Sequence, residues 1–243
     1  MQHPLLSIII PAYNEETRLP ATLNEVGSFL RDQSYSSEVL IVNNNSTDHT
    51  GDIIRKYCLE YPFMRELFEE YPGKGSAVKM GMLQAQGDFL FMCDADLSMP
   101  IDQINKFIPP QLEGVDVAIA SREVPGAVRY NEPLTRYLGG RVMNWLIQLI
   151  ALPGLKDTQC GFKCFSAAAA KDLFHHQTLP GWAFDIELLF IARQRGFTIQ
   201  EVPIPWTFYP GSKVNAIRDA LKIIQDIRII HQNQKQGLYD PEN

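Results

Sequence analysis

A chain of 243 residues suits one large α/β domain or two small ones, and at this length about 70% of the unfolded surface can be buried without staples. Apolar residues make up 45%, an ordinary globular share, and the net charge of −6 argues against a general nucleic-acid binder while leaving room for local basic clusters that hold phosphate. The four cysteines, Cys58, Cys93, Cys160 and Cys164, form no Cys-x-x-Cys pair and read as reduced core residues of a cytosolic protein; no signal peptide stands out, and no apolar run reaches the roughly 18 residues of a spanning helix.

The run Leu5-Leu6-Ser7-Ile8-Ile9-Ile10 predicts a first strand, ended by Pro11-Ala12-Tyr13-Asn14-Glu15-Glu16. A helix opens at Leu19, with Leu23, Val26, Phe29 and Leu30 at helical spacing. Residues 39–42 form a second buried strand that ends in Asn43-Asn44-Asn45-Ser46-Thr47-Asp48, where Ser46 or Thr47 is placed to cap the next helix. A weaker strand covers 64–68. Tyr71-Pro72-Gly73-Lys74-Gly75-Ser76 is then a glycine loop before a helix over 77–86. It matches neither known phosphate-loop pattern: Gly75, not Ser or Thr, follows Lys74, and Val78 stands where a dinucleotide fingerprint needs glycine.

The central stretch is Gly87-Asp88-Phe89-Leu90-Phe91-Met92-Cys93-Asp94-Ala95-Asp96. Its apolar run suits a strand buried on both faces of a parallel sheet, and ligands of such sheets bind beyond the carboxyl ends of the strands. In extended backbone, residues i and i+2 point the same way, so Asp94 and Asp96 are expected to share a hard cation, Mg²⁺ or Mn²⁺, with room left for substrate phosphates.

In the second half, a strand over 115–120 ends at Ser121-Arg122, and a loop carries Arg129 and Arg136. The strongly apolar segment 142–152 is too short to span a bilayer and reads as a core helix or a patch that meets lipid. A helix starts around Trp182-Ala183-Phe184-Asp185-Ile186-Glu187. In it Asp185 is a weaker site candidate, and Glu187 is expected to pair with an arginine. Residues 199–204 form a strand whose Pro203 and Pro205 place its end near a sheet edge. The last helix, 215–231, gathers Ile223, Ile224, Ile227 and Ile230 on one face and Arg218, Lys222 and Arg228 opposite. A surface helix packed on the domain is the default, and contact with a membrane interface is the sharper alternative. The tail is polar. His49 is expected in solvent, and Tyr13, Trp182 and Trp206 suit either stacking on a ligand or core packing.

Taken in order, Ile10-Pro11-Ala12-Tyr13-Asn14-Glu15, Asn43 to Asp48, Lys74-Gly75-Ser76-Ala77-Val78, Asp94-Ala95-Asp96 and Asp157-Thr158-Gln159-Cys160-Gly161-Phe162-Lys163 resemble the family 2 glycosyltransferases of the GT-A fold. The later stretches, with Trp206 and Gly211-Ser212-Lys213-Val214, look like the branch that glucosylates dolichyl or polyprenyl phosphates. The resemblance implies a Rossmann-like, mostly parallel sheet flanked by helices. It also implies a catalytic domain over 1–212, with a nucleotide half (1–120) and an acceptor half (121–212), then an amphipathic helix and tail over 213–243.

The activity implied is an inverting transfer of glucose from UDP-glucose to a lipid phosphate. Pro11, Tyr13 and Glu15 would line the nucleotide pocket, with Asn44 at the base and Lys74 close by. Asp94, Ala95 and Asp96 would hold the diphosphate and its Mg²⁺ or Mn²⁺. Arg122, Arg129, Arg136 and Lys213 are candidates to hold the acceptor phosphate, led by Arg122, which directly follows a strand and matches the family's Ser-Arg. Asp157 would orient a sugar hydroxyl or an arginine, or act as base toward a hydroxyl acceptor.

Two departures stand out. The family usually has Asp-Asp-Gly-Ser where this chain has Asn43-Asn44-Asn45-Ser46, which loosens the choice of base and keeps open another nucleotide sugar or a soluble hydroxyl acceptor. Eukaryotic members carry a membrane anchor ahead of the catalytic domain. A chain that starts almost at its first strand is expected to be cytoplasmic and to meet lipid peripherally, through its own surface.

Overall fold

The computed structural model describes residues 3–209 and 216–240. In chain order the elements are β1 (Leu6–Ala12), α1 (Leu19–Arg31), β2 (Ser37–Asn43), α2 (Thr50–Glu60), β3 (Met64–Phe68), α3 (Lys74–Gln84), β4 (Phe89–Cys93), β5 (Val117–Ser121), β6 (Val128–Tyr130), α4 (Leu134–Ile150), β7 (Phe162–Ser166), α5 (Ala167–His176), α6 (Phe184–Gln194), β8 (Ile199–Pro203), β9 (Pro205–Thr207) and α7 (Ala216–Lys235). A seven-stranded sheet runs in the order β3-β2-β1-β4-β7-β5-β8. All its pairings are parallel except the two made by β7, which enters antiparallel between β4 and β5. β6 and β9 form a separate parallel pair.

Strand alternation splits the core in two. Ile9, Met92 and Phe165 face α3, α5, α6 and α7, whereas Ile8, Ile10, Phe91 and Phe162 face α1, α2 and a short 3-10 turn at Ile101–Lys106. On the second face Phe91, Phe107 and Phe162 pack edge to face, with ring centroids 4.4 to 5.6 Å apart. The carboxyl ends of β1, β2, β4 and β5 lie at one edge of the sheet. Because β7 runs the other way, its amino end, with Gly161 just before it, opens at that same edge.

Several boundaries differ from the sequence reading. α3 begins at Lys74 rather than 77, because Gly73, at φ 137°, turns the chain directly into the helix. α2 begins at Thr50, so neither Ser46 nor Thr47 caps it; the Ser46 hydroxyl instead accepts from the Asn14 backbone N–H. The apolar segment 142–152 belongs to a longer helix that starts just after Pro133. β8 is an edge strand ending at Pro203, and Pro205 belongs to the separate strand β9 rather than to β8. In α7, Ile223, Ile227 and Ile230 are buried in the core beside Phe190, so this face packs on the domain. Among the described residues no helix is long and apolar enough to cross a membrane. All four cysteines are free, and burial pushes the Cys160 thiol up to about 12.

Candidate active site

The loops after β1 and β2 are clasped together. The Asn14 amide oxygen accepts from the Thr47 N–H at 2.9 Å, the Glu15 N–H donates to the Thr50 hydroxyl at 2.8 Å, and the Glu16 N–H donates to Asp48. Asn14 and Asn45 adopt positive φ (52° and 56°), a conformation asparagine tolerates better than other residues with a side chain. Asn43 and Asn44 are buried. The Asn43 side-chain oxygen accepts from Ser46 N–H; the Asn44 amide donates to the carbonyls of Glu69 and Tyr71 and accepts from Gly73 N–H. Asn44 therefore braces the 69–73 loop rather than presenting its amide to a base, which corrects the sequence expectation. Pro11 closes β1 beside Ala12, Tyr13 is 52% exposed at the rim, and Glu15 forms a two-bonded fork with Arg18 (2.7 and 2.8 Å). His49 is exposed beside Asp52.

Asp94 and Asp96 do not continue the extended strand. β4 ends at Cys93 and residues 95–96 form a turn that leads to Leu97 at φ 44°. The two carboxylates reach one neighbourhood through that turn instead. Asp94 accepts from the Lys74 ammonium at 2.6 Å, and Asp96 accepts from the Ser98 N–H at 3.0 Å. The buried Ala95 carbonyl receives the Thr22 hydroxyl at 2.6 Å, which ties the turn to α1. The cations Arg18 and Lys74 both feel the pair. The hydrogen bond to Glu15 raises Arg18, with Asp96 and Asp94 adding to it. Burial pulls Lys74 down, but Asp94, Asp185 and Asp96 outweigh it and hold its ammonium above the usual lysine value. Lys74 also lies over the exposed Trp182 ring at 5.1 Å.

Gly161 makes this arrangement possible: a Cβ there would collide with the Asp94 carboxylate. Two residues on, the buried Lys163 ammonium donates to Asp185 at 2.6 Å and to the Cys160 carbonyl at 2.5 Å. Burial raises the Asp185 carboxyl even against the opposing pull of Lys163 and Lys74. Among the described residues Glu187 pairs with no arginine. Its carboxylate accepts from Thr178, Leu179 and the Tyr239 hydroxyl, closing the loop ahead of α6.

On the far side, Arg122 follows β5 and grips Asp157 through Nε (2.7 Å) and Nη2 (2.8 Å), and its own backbone N–H donates to the same carboxylate at 2.9 Å. Burial works against charge on both partners. Their attraction wins, raising the Arg122 guanidinium above its usual value and lowering the Asp157 carboxyl below its own. Asp157 thus orients an arginine. The sequence reading ranked Arg122 first for an acceptor phosphate, but two of its donor nitrogens are already occupied, and Trp206 lies under it at 5.4 Å. Arg129 is likewise held, by Glu132 at 2.5 Å and by Glu123, and it too stacks on Trp206 at 5.8 Å. The buried Trp206 is therefore packing between guanidinium groups. Arg136 is exposed over the Phe208 ring at 4.9 Å and pairs with no carboxylate among the described residues. Lys213 lies outside the described residues.

A cation held by Asp94 and Asp96 fits the chemistry of this edge. Among the described residues no set of three His, Cys, Asp or Glu side chains gathers to hold a metal, and the oxygens this edge would offer a cation are those of Asp94 and Asp96. Such a donor set suits Mg²⁺ or Mn²⁺, which keep positions open for phosphate and water, better than zinc, which closes four nitrogen and sulfur ligands around itself. A separate hollow of about 780 Å³, lined by His3, Asp88, Lys171 and Asp172, sits at the other end of β4, away from these carboxylates.

The chain is 36% identical to a dolichyl-phosphate beta-glucosyltransferase of Trichomonas vaginalis, over 91% of this chain and 71% of that one. It is 31% identical to the human protein of the same name, over 96% and 77%. Among solved structures, glucosyl-3-phosphoglycerate synthase from Mycobacterium tuberculosis in complex with Mn²⁺, uridine diphosphate and phosphoglyceric acid shares the fold at a TM-score of 0.67, with 17% identity over 93% of this chain and 78% of that one. The same enzyme with Mg²⁺ and uridine diphosphate gives 0.66 at the same identity. The sheet, with its GT-A-like strand order and helices on both faces, is thus the glycosyltransferase fold expected from the sequence. The Glycosyl transferase family 2 profile matches residues 7–174, and the chain belongs to that family.

Proposed function

We propose that this chain is an inverting, metal-dependent transferase that moves glucose from UDP-glucose onto a dolichyl or polyprenyl phosphate. The observation that carries the reading is that Asp94 and Asp96 follow β4 and Arg122 follows β5 at the same carboxyl edge of the sheet, on either side of β7. The buried Cys160 thiol between them feels Asp157, Arg122, Lys163 and Asp94 together. The names of the relatives supply the acceptor class, and the ligands of the structural neighbours, Mn²⁺ with UDP-glucose among them, supply the donor class.

Within this reading Asp94, Ala95 and Asp96 hold the diphosphate with Mg²⁺ or Mn²⁺, and the cation, when bound, neutralises charge on the departing nucleoside diphosphate. Pro11, Tyr13 and Glu15 line the nucleotide pocket, and Asn44 acts through the loop it braces. Residues 1–120 serve the donor and 121–212 the acceptor. Lys74 trades part of its contact with Asp94 for the diphosphate, and Trp182 beside it offers a face to the sugar. A phosphate monoester has its second pKa at about 6, so the acceptor arrives ionised and needs no general base. Asp157, lowered and engaged by Arg122, fits a positioning part. Arg136, with Lys213, meets the lipid phosphate, and the paired Arg122 and Arg129 fix the wall behind it, so that positioning carries much of the rate. The protein works at the cytoplasmic surface of a membrane.

The engaged Asn44 amide favours one second reading, a family 2 transferase with another nucleotide sugar, because the amide at the position expected to select uracil is turned to the 69–73 loop. The test is a screen of labelled nucleotide sugars with a short polyprenyl phosphate and with soluble hydroxyl acceptors, with Mn²⁺ or with chelator. Metal-dependent transfer from UDP-glucose to the lipid phosphate is expected. Transfer only to a hydroxyl acceptor, or full activity in chelator, would overturn the reading.

A further inference from the structure

The outer face of α4 has no partner. Leu134, Leu138, Val142, Trp145 and Leu149 are 54% to 69% exposed. At 100° per residue they fall within an arc of about 80°, a continuous apolar stripe along the helix. The opposite side is the packed one, with Ile147 buried and Met143 against the core. A soluble helix buries its apolar side; α4 shows apolar residues on both sides and buries one. Isolated exposed apolar residues are ordinary, but a contiguous stripe of this kind marks an interaction surface.

We propose that this stripe of α4 seats the protein on a lipid surface bearing anionic headgroups. Charge and continuity select this occupant. The seventeen residues of α4 include two arginines, Arg136 and Arg141, and no carboxylate. Arg141 projects beside the stripe, 43% exposed and paired at 2.5 Å with Glu123. In a chain of net charge −6, attraction to an anionic surface has to come from local cations, and on this helix they are Arg141 beside the stripe, shared with Glu123, and Arg136 at the end nearest the candidate acceptor site. An exposed tryptophan amid leucines is also the side-chain set of an interfacial helix. Finally, α4 starts four residues after β6, whose Arg129 lines the acceptor side, and Arg136 in its first turn reaches the Phe208 ring there. A helix lying in the interface would thus set the candidate acceptor arginines at headgroup depth. The alternative expectation of membrane contact by the last helix gives way, since the described apolar face of α7 is buried.

This inference rests on the lipid-phosphate reading for its purpose but is tested apart from it. The full chain is sedimented with vesicles of phosphatidylcholine, with and without phosphatidylserine, beside the double variant Leu138→Ser/Trp145→Ser. Wild type should bind, more tightly with phosphatidylserine, and the variant should bind at least about tenfold more weakly. Both are run in sedimentation velocity, and both are assayed on a short water-soluble polyprenyl phosphate, where their rates should agree. Because both replaced side chains are exposed, their melting curves should also agree. Equal vesicle binding by the two, no binding by wild type, or indifference to phosphatidylserine overturns the proposal. So does a wild-type dimer that the variant dissolves, which would make the stripe a self-interface. Vesicle binding lost in the variant, with no lipid-phosphate transfer by either protein, would sink the functional reading and leave the docking surface standing.

Discussion

Gly161→Ala separates the site from the fold. Gly161 has no positive φ, so alanine meets no backbone strain there and should gain about 0.4–1 kcal/mol by restricting the unfolded chain. The new methyl falls on the Asp94 carboxylate. Asp94 must rotate away, which breaks its contact with Lys74. Both side chains are mostly buried, at 29% and 13% exposure, so that charged hydrogen bond is worth roughly 1.5–3 kcal/mol. The net loss of stability is therefore about 1–2 kcal/mol, equivalent to a fall in Tm of roughly 2–8 °C for a chain of this size. The effect on the cation is larger. A site with two carboxylates that loses the orientation of one should weaken by about 10–100-fold. Calorimetric titration of Mn²⁺ in the presence of UDP, set beside thermal melts, reads the two effects separately. If the variant binds Mn²⁺ and UDP as wild type does, or if its crystal structure keeps Asp94 on Lys74, the reasoning fails.

Removing the Asp157 carboxylate by Asp157→Asn strands a buried guanidinium and should cost about 3–5 kcal/mol in urea unfolding. Because the folded Asp157 carboxyl is held below its ordinary value, its contribution is present above about pH 4 and is lost as pH falls through the lower folded value. The stability gap between wild type and variant should narrow on acidification, and a gap that widens would contradict the pairing. The buried Lys163 and Asp185 should show strong coupling in a double-mutant cycle. Asp185→Asn leaves an unpaired ammonium and costs about 3–5 kcal/mol, whereas Lys163→Met/Asp185→Leu recovers most of that loss; simple additivity would refute the pair.

Strands β1 to β5 and β8, and the edge that carries the candidate site, were legible because they depend on local pattern, whereas β6, β7 and β9 were not read from the sequence. The apolar run of β4 and the two carboxylates after it are contiguous, and Arg122 follows β5 at a position that any strand assignment finds. What was hidden is non-local. Arg122 and Asp157 are 35 positions apart, on either side of α4, and only the antiparallel entry of β7 between β4 and β5 brings them together. Spacing carries no trace of that register. The asparagine run misled for a different reason. Its side chains have both donors and acceptors, so they can serve a ligand or the backbone, and the backbone of 69–73 took Asn44. For α4 the apolar run 142–152 was visible, but composition alone could not say which of its residues turn in and which turn out.

The stretch 157–163 links the two halves of the candidate site. At one end Asp157, its own N–H anchored to Glu201 at 3.0 Å, aims Arg122 on the acceptor side. At the other, Lys163 is locked to Asp185 in the core and fixes the start of β7. Between them Gly161 leaves the space that Asp94 occupies on the donor side. β4 and β7 are in register, with Met92 opposite Lys163 and Cys93 opposite Phe162, so the next position along the ladder puts Gly161 against Asp94. A shift of one residue in that register would misplace the carboxylate and the guanidinium together. Because β7 runs against its neighbours, one short segment can touch both the end of β4 and the end of β5. A fully parallel sheet would need two separate loops to do this, each free to move without the other. The motif Asp-Thr-Gln-Cys-Gly-Phe-Lys, buried at both charged ends, therefore fixes where Asp94 stands relative to Arg122, the two groups that the proposed function assigns to donor and acceptor.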